Sequence, residues 1–161
     1  MRSMLEHCVG GRTVDYAAGD TVIQEGETTG RLYVLLDGRL DVVKGTTVVA
    51  SLSDPGATVG EMSVLLDQPH SATVIAAQAS TIYAFDNAAQ FLESHPSLAL
   101  LLARLLAIRL GAATTYLADI KRQYAGFGNH LEMVGDVLRS LVNLPATEVS
   151  PGSDRRADPR L

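Results

Sequence analysis

The chain has 161 residues, of which 47% are hydrophobic, and this combination is typical of one folded domain with a short appendage. Its formal net charge of −5 argues against a protein that coats nucleic acid, because such binding depends on Lys and Arg side chains that neutralise phosphates. The single cysteine, Cys8, cannot form an intrachain disulfide or supply an iron–sulfur cluster, and we expect it to be a small packing residue.

The first half of the chain has a β-type sequence texture. The N-terminus lacks the long apolar core of a signal peptide, which favours a cytoplasmic protein. From residue 11 to residue 85, short β-type runs are separated by glycines and other turn residues. About eight short strands at regular spacing predict a closed or sandwiched antiparallel β structure. The clearest runs cover residues 13–16, 21–24, 31–36, 40–44, 46–52, 72–77 and 81–85.

The dipeptide Asp37-Gly38 is a strong turn signal within this region. It separates the apolar run at residues 32–36 from the run at residues 40–43. A type I′ turn needs positive φ at its centre, and glycine adopts positive φ at low cost. The sequence therefore predicts a tight hairpin between these two strands.

Residues 60–74 form the most informative segment, which reads Gly-Glu-Met-Ser-Val-Leu-Leu-Asp-Gln-Pro-His-Ser-Ala-Thr-Val. Gly60 and Glu61 begin a short apolar helical turn, residues 67–69 end it, and residues 70–74 lead into a β-branched strand. A glycine at a helix start lets the backbone approach a ligand, and the free amides of the first turn attract an anion. The segment therefore predicts an anion-binding turn.

The apolar pattern changes to a helical period after residue 85. Asp86-Asn87 is expected to cap a helix over residues 88–94, and Pro96 is expected to begin another helix. From residue 98 to residue 122, apolar residues cover more of the helix circumference than one face can bury, which predicts a homodimer. Arg104 and Arg109 interrupt the most apolar stretch, so we expect no membrane span.

The C-terminal segment is predicted to contain little structure. Gly126 and Gly128 end the long helix, and apolar residues at helical spacing predict one short amphipathic helix over residues 131–141. From Pro145 onward no apolar period exists, and we expect disorder. The expected organisation is a domain over residues 1–125, an accessory helix region over 126–144 and a tail over 145–161.

The order of these elements, together with residues 60–74, resembles the cyclic-nucleotide-binding domain family of the catabolite activator protein and protein kinase A regulatory subunit type. The resemblance extends from about residue 4 to residue 123. It implies a mainly β fold with α, in which an eight-stranded antiparallel, jelly-roll-like β-roll precedes a short helix and a long C-terminal helix. It also implies a small-molecule-sensing regulatory module. Further glycines that carry the resemblance are Gly19, Gly26, Gly38 and Gly56.

The resemblance assigns roles to residues 60–74, which we call the cassette. Glu61 matches the family's acceptor of a hydrogen bond from the ribose 2′-hydroxyl, although an acidic residue there also complements a helix N-terminus. Gly60 would let the backbone approach the sugar-phosphate, and amides near Met62, Ser71 and Ala72 would point at the phosphate.

Two further assignments have a plain structural alternative. The Ser71 hydroxyl would donate to the phosphate, or Ser71 would simply begin a strand. Thr114, or Thr115, would cover the purine from the long helix, or both would be ordinary surface threonines. The candidate ligand-binding residues are therefore Gly60, Glu61, Met62, Ser63, His70, Ser71, Ala72 and Thr114.

His70 departs from the family pattern, because the family has an arginine for the cyclic phosphate at this position. Arginine offers a permanent charge and a planar fork, whereas histidine offers one donor and is only partly charged near neutrality. Three interpretations follow. His70 substitutes for the arginine and cAMP or cGMP binds weakly, the pocket takes another ligand, or the domain is a ligand-free dimerisation or docking module for an unidentified protein partner.

Other functional classes fit the sequence poorly. A metal-dependent enzyme on a related jelly roll needs a His-x-His pair, and the four histidines are isolated, so we expect no catalytic or metal site and no cofactor. A transcription factor needs a DNA-binding module of about 70 residues with a basic surface. The 38 residues after Gln123 contain more acidic than basic side chains, so we expect no direct contact with nucleic acid.

Overall fold

The computed structural model describes residues 2–6, 8 and 10–123, and the eight expected strands are all present. They form two four-stranded antiparallel sheets, which confirms the predicted roll. The strands are β1 (Arg12–Tyr16), β2 (Thr21–Ile23), β3 (Leu32–Asp37), β4 (Leu40–Lys44), β5 (Thr47–Leu52), β6 (Thr58–Val59), β7 (Thr73–Ala76) and β8 (Ser80–Phe85). The helices are α1 (Arg2–Glu6), α2 (Glu61–Leu66), α3 (Ala88–Ser94) and α4 (Pro96–Gln123).

The hydrophobic core lies between the two sheets. The strand order is β1-β8-β3-β6 in one sheet and β2-β7-β4-β5 in the other. Leu35 and Ile82 from the first sheet and Leu40 from the second are fully buried in one cluster. Alternate residues of a strand point to opposite faces, so each sheet places one apolar face on this core. Strand β5 leaves its other face to solvent, whereas β3 is buried on both faces, since four consecutive residues from Leu32 to Leu35 are buried. Cys8 is buried, as expected, and burial raises the pKa of its thiol to about 11.

The predicted hairpin at Asp37-Gly38 is wrong, because β3 and β4 belong to different sheets. β3 pairs with β6 and β8, whereas β4 pairs with β5 and β7. Gly38 does have a positive φ of 104°, but Asp37 does not, so the turn is not type I′. A Cβ on Gly38 would lie 2.6 Å from the Cα of Ser80. The glycine is required because the chain passes close to β8 as it changes sheets.

The cap predicted at Asp86-Asn87 also differs from the structure. Asn87 is the N-cap of α3 but has left-handed backbone angles and makes no side-chain cap hydrogen bond. The first amide of the helix, that of Ala88, donates instead to the carbonyl of Gly30 at 2.9 Å. Asp86 forms an ion pair with Arg31 at 2.6 Å. The loop between β2 and β3 therefore satisfies the start of α3, which no local pattern of residues reveals.

The chain divides into two compact units, Met1–Arg104 and Leu105–Leu161, and the division falls within α4. In the first unit, Leu98 and Leu102 are each only 1% exposed. In the second unit, Ile108 and Tyr116 are 70% and 67% exposed. The predicted accessory helix at residues 131–141 and the tail from residue 145 lie outside the described residues.

Helix α4 has a further property that the sequence analysis did not anticipate. Pro96–Arg122 is long and apolar enough to cross a membrane by length and composition alone, with a mean hydropathy of 1.6. One such helix is weak support for a membrane span, because a helix of a soluble protein can have the same composition. The apolar surface of α4 nevertheless needs an explanation.

Candidate functional site

The cassette begins with a backbone geometry that only glycine adopts easily. Gly60 has φ of +88° and ψ of −8° and forms the N-cap of α2. A Cβ at this position would lie 2.7 Å from the carbonyl oxygen of Arg31, so the glycine is required for close approach as well as for its φ. The group that approaches Gly60 closely is the carbonyl of Arg31, in the loop before β3. The Gly60-Glu61 sequence therefore determines the direction in which α2 begins after β6.

Glu61 follows immediately and is 5% exposed, which is unusual for a carboxylic side chain. A buried carboxylate is costly unless polar partners surround it. Its position in the first turn of α2 is favourable, because the positive end of a helix dipole stabilises a negative charge. The structure therefore places an acceptor group in a desolvated position at the start of the cassette.

Two other candidates on α2 have different surroundings. The Ser63 hydroxyl donates to the carbonyl of Gln68 at 2.6 Å, and the backbone amide of Gln68 donates to the Ser63 carbonyl at 3.2 Å. Ser63 therefore holds the end of the helix, where Asp67 has a left-handed φ of 51°. The Met62 side chain is 51% exposed, and the role expected for its backbone amide remains a prediction.

The second part of the cassette is attached to the loop that follows β2. The His70 amide donates to the Glu27 carbonyl at 2.8 Å, and the Gly26 amide donates to the His70 carbonyl at 2.9 Å. The Glu25 amide donates to the Thr73 hydroxyl at 3.1 Å. Three hydrogen bonds thus fix residues 70–73 against residues 25–27 before β7 begins.

The His70 side chain is buried and contacts this same loop. Its Nε2 lies 2.8 Å from the hydroxyl oxygen of Thr29, and the Arg31 amide also donates to that oxygen, at 3.3 Å. Burial lowers the pKa of His70 below its ordinary value, and the carboxylate of Glu27 opposes this only in part. The fold therefore holds His70 as a neutral imidazole near pH 7, bonded to Thr29. The sequence analysis did not identify Thr29.

A second unanticipated contact involves Lys44 at the end of β4. The Lys44 ammonium donates to the carbonyl of Ser71 at 2.5 Å and to Oε1 of Glu25 at 2.5 Å. This contact lowers the pKa of the Glu25 carboxyl. The sequence signal available for this contact was the spacing along β4, in which Lys44 follows Leu40 and Val42 at intervals of two residues.

The candidate residues are not all in the same compact unit. Those of the cassette, residues 60–63 and 70–72, lie in the first unit. Ser71 is exposed and Ala72 is half-buried just before β7. Thr114 is half-buried on α4 and belongs to the second unit, so its predicted contact with a purine remains a prediction.

A separate cleft of about 320 Å³ lies beside α2. Its wall includes Ser63 and Asp67 of the cassette, Thr28 and Gly30 of the loop after β2, and Asn87 at the start of α3. Neither Glu61 nor His70 lines it. Among the described residues, no group of three or more His, Cys, Asp or Glu side chains has the arrangement of a metal site.

Known proteins share this fold and this order of elements. Residues 13–93 match the family of the cyclic nucleotide-binding domain. A CRP-like cAMP-activated global transcriptional regulator of Mycobacterium tuberculosis is 29% identical over 113 residues, which cover 66% of this chain and 50% of that protein. A cAMP-dependent protein kinase regulatory subunit of Yarrowia lipolytica is 29% identical over 69 residues, which cover 43% of this chain and 18% of that protein. The chain thus spans at most half the length of these two relatives.

Solved structures show the same fold. The catabolite activator protein of Thermus thermophilus has a TM-score of 0.58 at 23% identity, covering 88% of this chain and 81% of that chain. The regulatory subunit of a cAMP-independent protein kinase A from Trypanosoma brucei has a TM-score of 0.56 at 22% identity, covering 64% of this chain and 41% of that chain. Fold and cassette together define a ligand-sensing β-roll. The chain belongs to the cyclic nucleotide-binding domain family.

Proposed function

We propose that this protein is a regulatory module whose cassette binds a cyclic nucleotide, cAMP in preference to cGMP. The observation that carries the proposal is the buried carboxylate of Glu61 directly after left-handed Gly60. A carboxylate in the first turn of a helix is suited to accept a hydrogen bond from a hydroxyl donor such as that of a ribose, because the helix dipole keeps it ionised and a charged acceptor forms a stronger bond.

Phosphate recognition in this proposal depends mainly on backbone amides near Met62, Ser71 and Ala72 and on the exposed Ser71 hydroxyl. A neutral His70 donates at most one hydrogen bond to an anion, whereas an arginine donates two charge-assisted bonds. Loss of one charge-assisted bond weakens binding about tenfold to a hundredfold. We therefore expect an affinity below that of a site with an arginine at this position.

The preference for cAMP is supported by the named activity of the M. tuberculosis relative, a cAMP-activated regulator. That relative is about twice as long as the region matched here, so the rest of its activity does not transfer to this chain. The proposed module acts in the cytoplasm through a changed surface that an unidentified protein partner senses.

The output surface in this proposal is α4, and its apolar residues support a homodimer. Leu100, Ile108, Leu110 and Tyr116 are all at least 47% exposed, and monomeric soluble proteins seldom expose that many large apolar side chains on one helix. Sedimentation at tens of micromolar should give a mass near twice 17.1 kDa. Ile108→Glu should give the monomer mass, while the control Thr47→Glu, at an exposed position on β5, should not. A monomeric wild-type protein would overturn the dimer.

A second candidate function is a ligand-free docking module. It is favoured by the burial of His70 and its bond to Thr29, which complete the loop contact without any phosphate. The fold itself is compatible with either function, since the related T. brucei subunit is described as cAMP-independent.

Calorimetric titration tests these two functions against each other. Wild-type protein should bind cAMP more tightly than cGMP and much more tightly than 5′-AMP, which lacks the cyclic phosphodiester. Glu61→Gln should weaken cAMP binding tenfold or more, because the ribose hydroxyl loses a charged acceptor. Glu93→Gln, at an exposed position on α3, is the matched control. If neither cyclic nucleotide binds at millimolar concentration, the docking module replaces the proposed function.

A further inference from the structure

Lys44 is the last residue of β4 and lies close to the second part of the cassette. On β4 it follows Leu40 and Val42 at intervals of two, and these residues belong to the core face of the sheet. The pairing of β4 with β7 is regular from Leu40 to Val43, whereas the register of β4 with β5 shifts between Val42 and Val43. The Lys44 side chain is 57% exposed and reaches the cassette from the end of β4, at the carbonyl of Ser71.

The Lys44 ammonium lies beside the start of β7. In the second sheet β7 lies between β2 and β4. Lys44 approaches from β4 and Glu25 from the segment after β2, and the two side chains meet at 2.5 Å. Between them the ammonium also bonds the carbonyl of Ser71, 2.5 Å away, the residue next to His70. A permanent positive charge thus lies on the part of the cassette that is expected to meet the phosphate.

The neighbouring basic side chains, His70 and Arg31, are less suited than Lys44 to bind the phosphate. His70 is held neutral by burial, and Arg31 is engaged with Asp86 at 2.6 Å. The acceptor that Lys44 now uses on Ser71 is a neutral carbonyl, and a phosphate oxygen is a stronger acceptor for an ammonium. Because lysine has a flexible four-carbon stem, exchange of one acceptor for the other needs only side-chain rotation.

We infer that Lys44 is the cation that binds the cyclic phosphate in this protein, with Glu25 holding its ammonium beside Ser71 when the site is empty. This inference rests on the proposed function, since it identifies the residue that meets the anionic part of the ligand. Glu25 also accepts a hydrogen bond from the Gly45 amide, at 3.4 Å, which fixes the carboxylate at the turn after β4.

Two variants of Lys44, one variant of Glu25 and a control variant test whether the charge of Lys44 contributes to ligand affinity. Lys44→Gln keeps a donor for the carbonyl but removes the charge, and cAMP affinity measured by calorimetry should fall about tenfold or more. Lys44→Arg should bind within about threefold of wild type. Glu25→Gln should tighten binding severalfold, because it removes a negative charge near the phosphate. Arg39→Gln, an exposed cation on the segment before β4, should leave affinity unchanged.

The outcomes distinguish this inference from the proposed function. If wild type binds cAMP and Lys44→Gln binds equally well, Lys44 is not the phosphate ligand and the proposed function stands. If Lys44→Gln keeps wild-type affinity but Lys44→Met loses it, the hydrogen bond to Ser71 matters and the charge does not. If wild type binds neither cyclic nucleotide, both proposals fail. Raising the salt concentration should weaken wild type more than Lys44→Gln, since the lost interaction is ionic.

Discussion

The two parts of the cassette are held in place by different kinds of interaction. Residues 60–66 are shaped mainly by local backbone geometry, namely left-handed Gly60 and the short helix that follows it, with one close approach to the carbonyl of Arg31. Residues 70–73 have their positions fixed by partners more than 20 residues away in sequence, including Thr29 and Lys44. One candidate binding segment therefore combines a half that is encoded mainly by adjacent residues with a half that depends on the assembled roll.

The largest expected effect is on the locally encoded half. Gly60→Ala places a Cβ 2.7 Å from the carbonyl oxygen of Arg31 at a φ of +88°, and we expect a loss of about 2–4 kcal/mol in unfolding free energy. Gly26→Ala is the matched control, because Gly26 has a similar φ of +85° but open space around it. It should cost only about 1 kcal/mol. Chemical denaturation measures both, and equal losses would show that the close contact is unimportant.

The second expected effect is on the half that depends on distant partners. Thr29→Val removes the hydroxyl that lies 2.8 Å from Nε2 of buried His70, and a buried polar group without its partner costs about 1–3 kcal/mol. Thr28→Val, at the exposed neighbouring position, should change stability by less than about 0.5 kcal/mol. If the two valine variants unfold at the same denaturant concentration, the His70–Thr29 contact does not hold the cassette.

Features that depend on adjacent residues could be predicted from the sequence, and features that depend on distant partners could not. The strand runs, the helices at 88–94 and after Pro96, and the need for glycine at Gly38 follow from period and backbone geometry, and all are present. The pairing of β3 with β4 was wrong because turn chemistry at Gly38 does not report which sheet each strand joins. At this turn, the close approach of Ser80 on β8 to Gly38 is what distinguishes a change of sheet from a hairpin.

The candidate site shows the same limit. Gly60 and Glu61 could be proposed as ligand residues from their motif, since the conformation of a helix start depends on adjacent residues. The neutral state of His70 could not be predicted, because it results from burial against a loop about 40 residues earlier. Lys44 was likewise unrecognised, because its contact with Ser71 exists only when β4 and β7 pair.

A third, smaller effect concerns ligand affinity. His70→Arg introduces a permanent charge and a two-donor group, so cAMP binding should tighten about tenfold and become independent of pH. Wild-type affinity should instead rise as pH falls from 7.5 to 6, because protonation gives the imidazole a charge that the phosphate stabilises. The lowered pKa of His70 places most of this rise at the acidic end of that interval. Tight wild-type binding without any pH dependence would show that His70 takes no part.

The smallest effect is the dependence of stability on pH, and its sign is opposite to that for the ligand. The pKa of His70 is lower in the folded protein than in the unfolded chain, where it is about 6.5, so the unfolded chain takes up the proton first. The stability that neutral His70 contributes is therefore complete above about pH 6.5 and decreases as pH falls toward the folded-state pKa. Between pH 7.5 and 5.5 the loss is at most about 1.4 kcal/mol. Thermal melts should show a larger drop for wild type than for His70→Gln, while His95→Gln, at the exposed residue that ends α3, should follow wild type. Parallel melting curves for wild type and His70→Gln would mean that the imidazole accepts its proton without disturbing the Thr29 contact, and the cassette would then be less dependent on that distant partner than its geometry indicates.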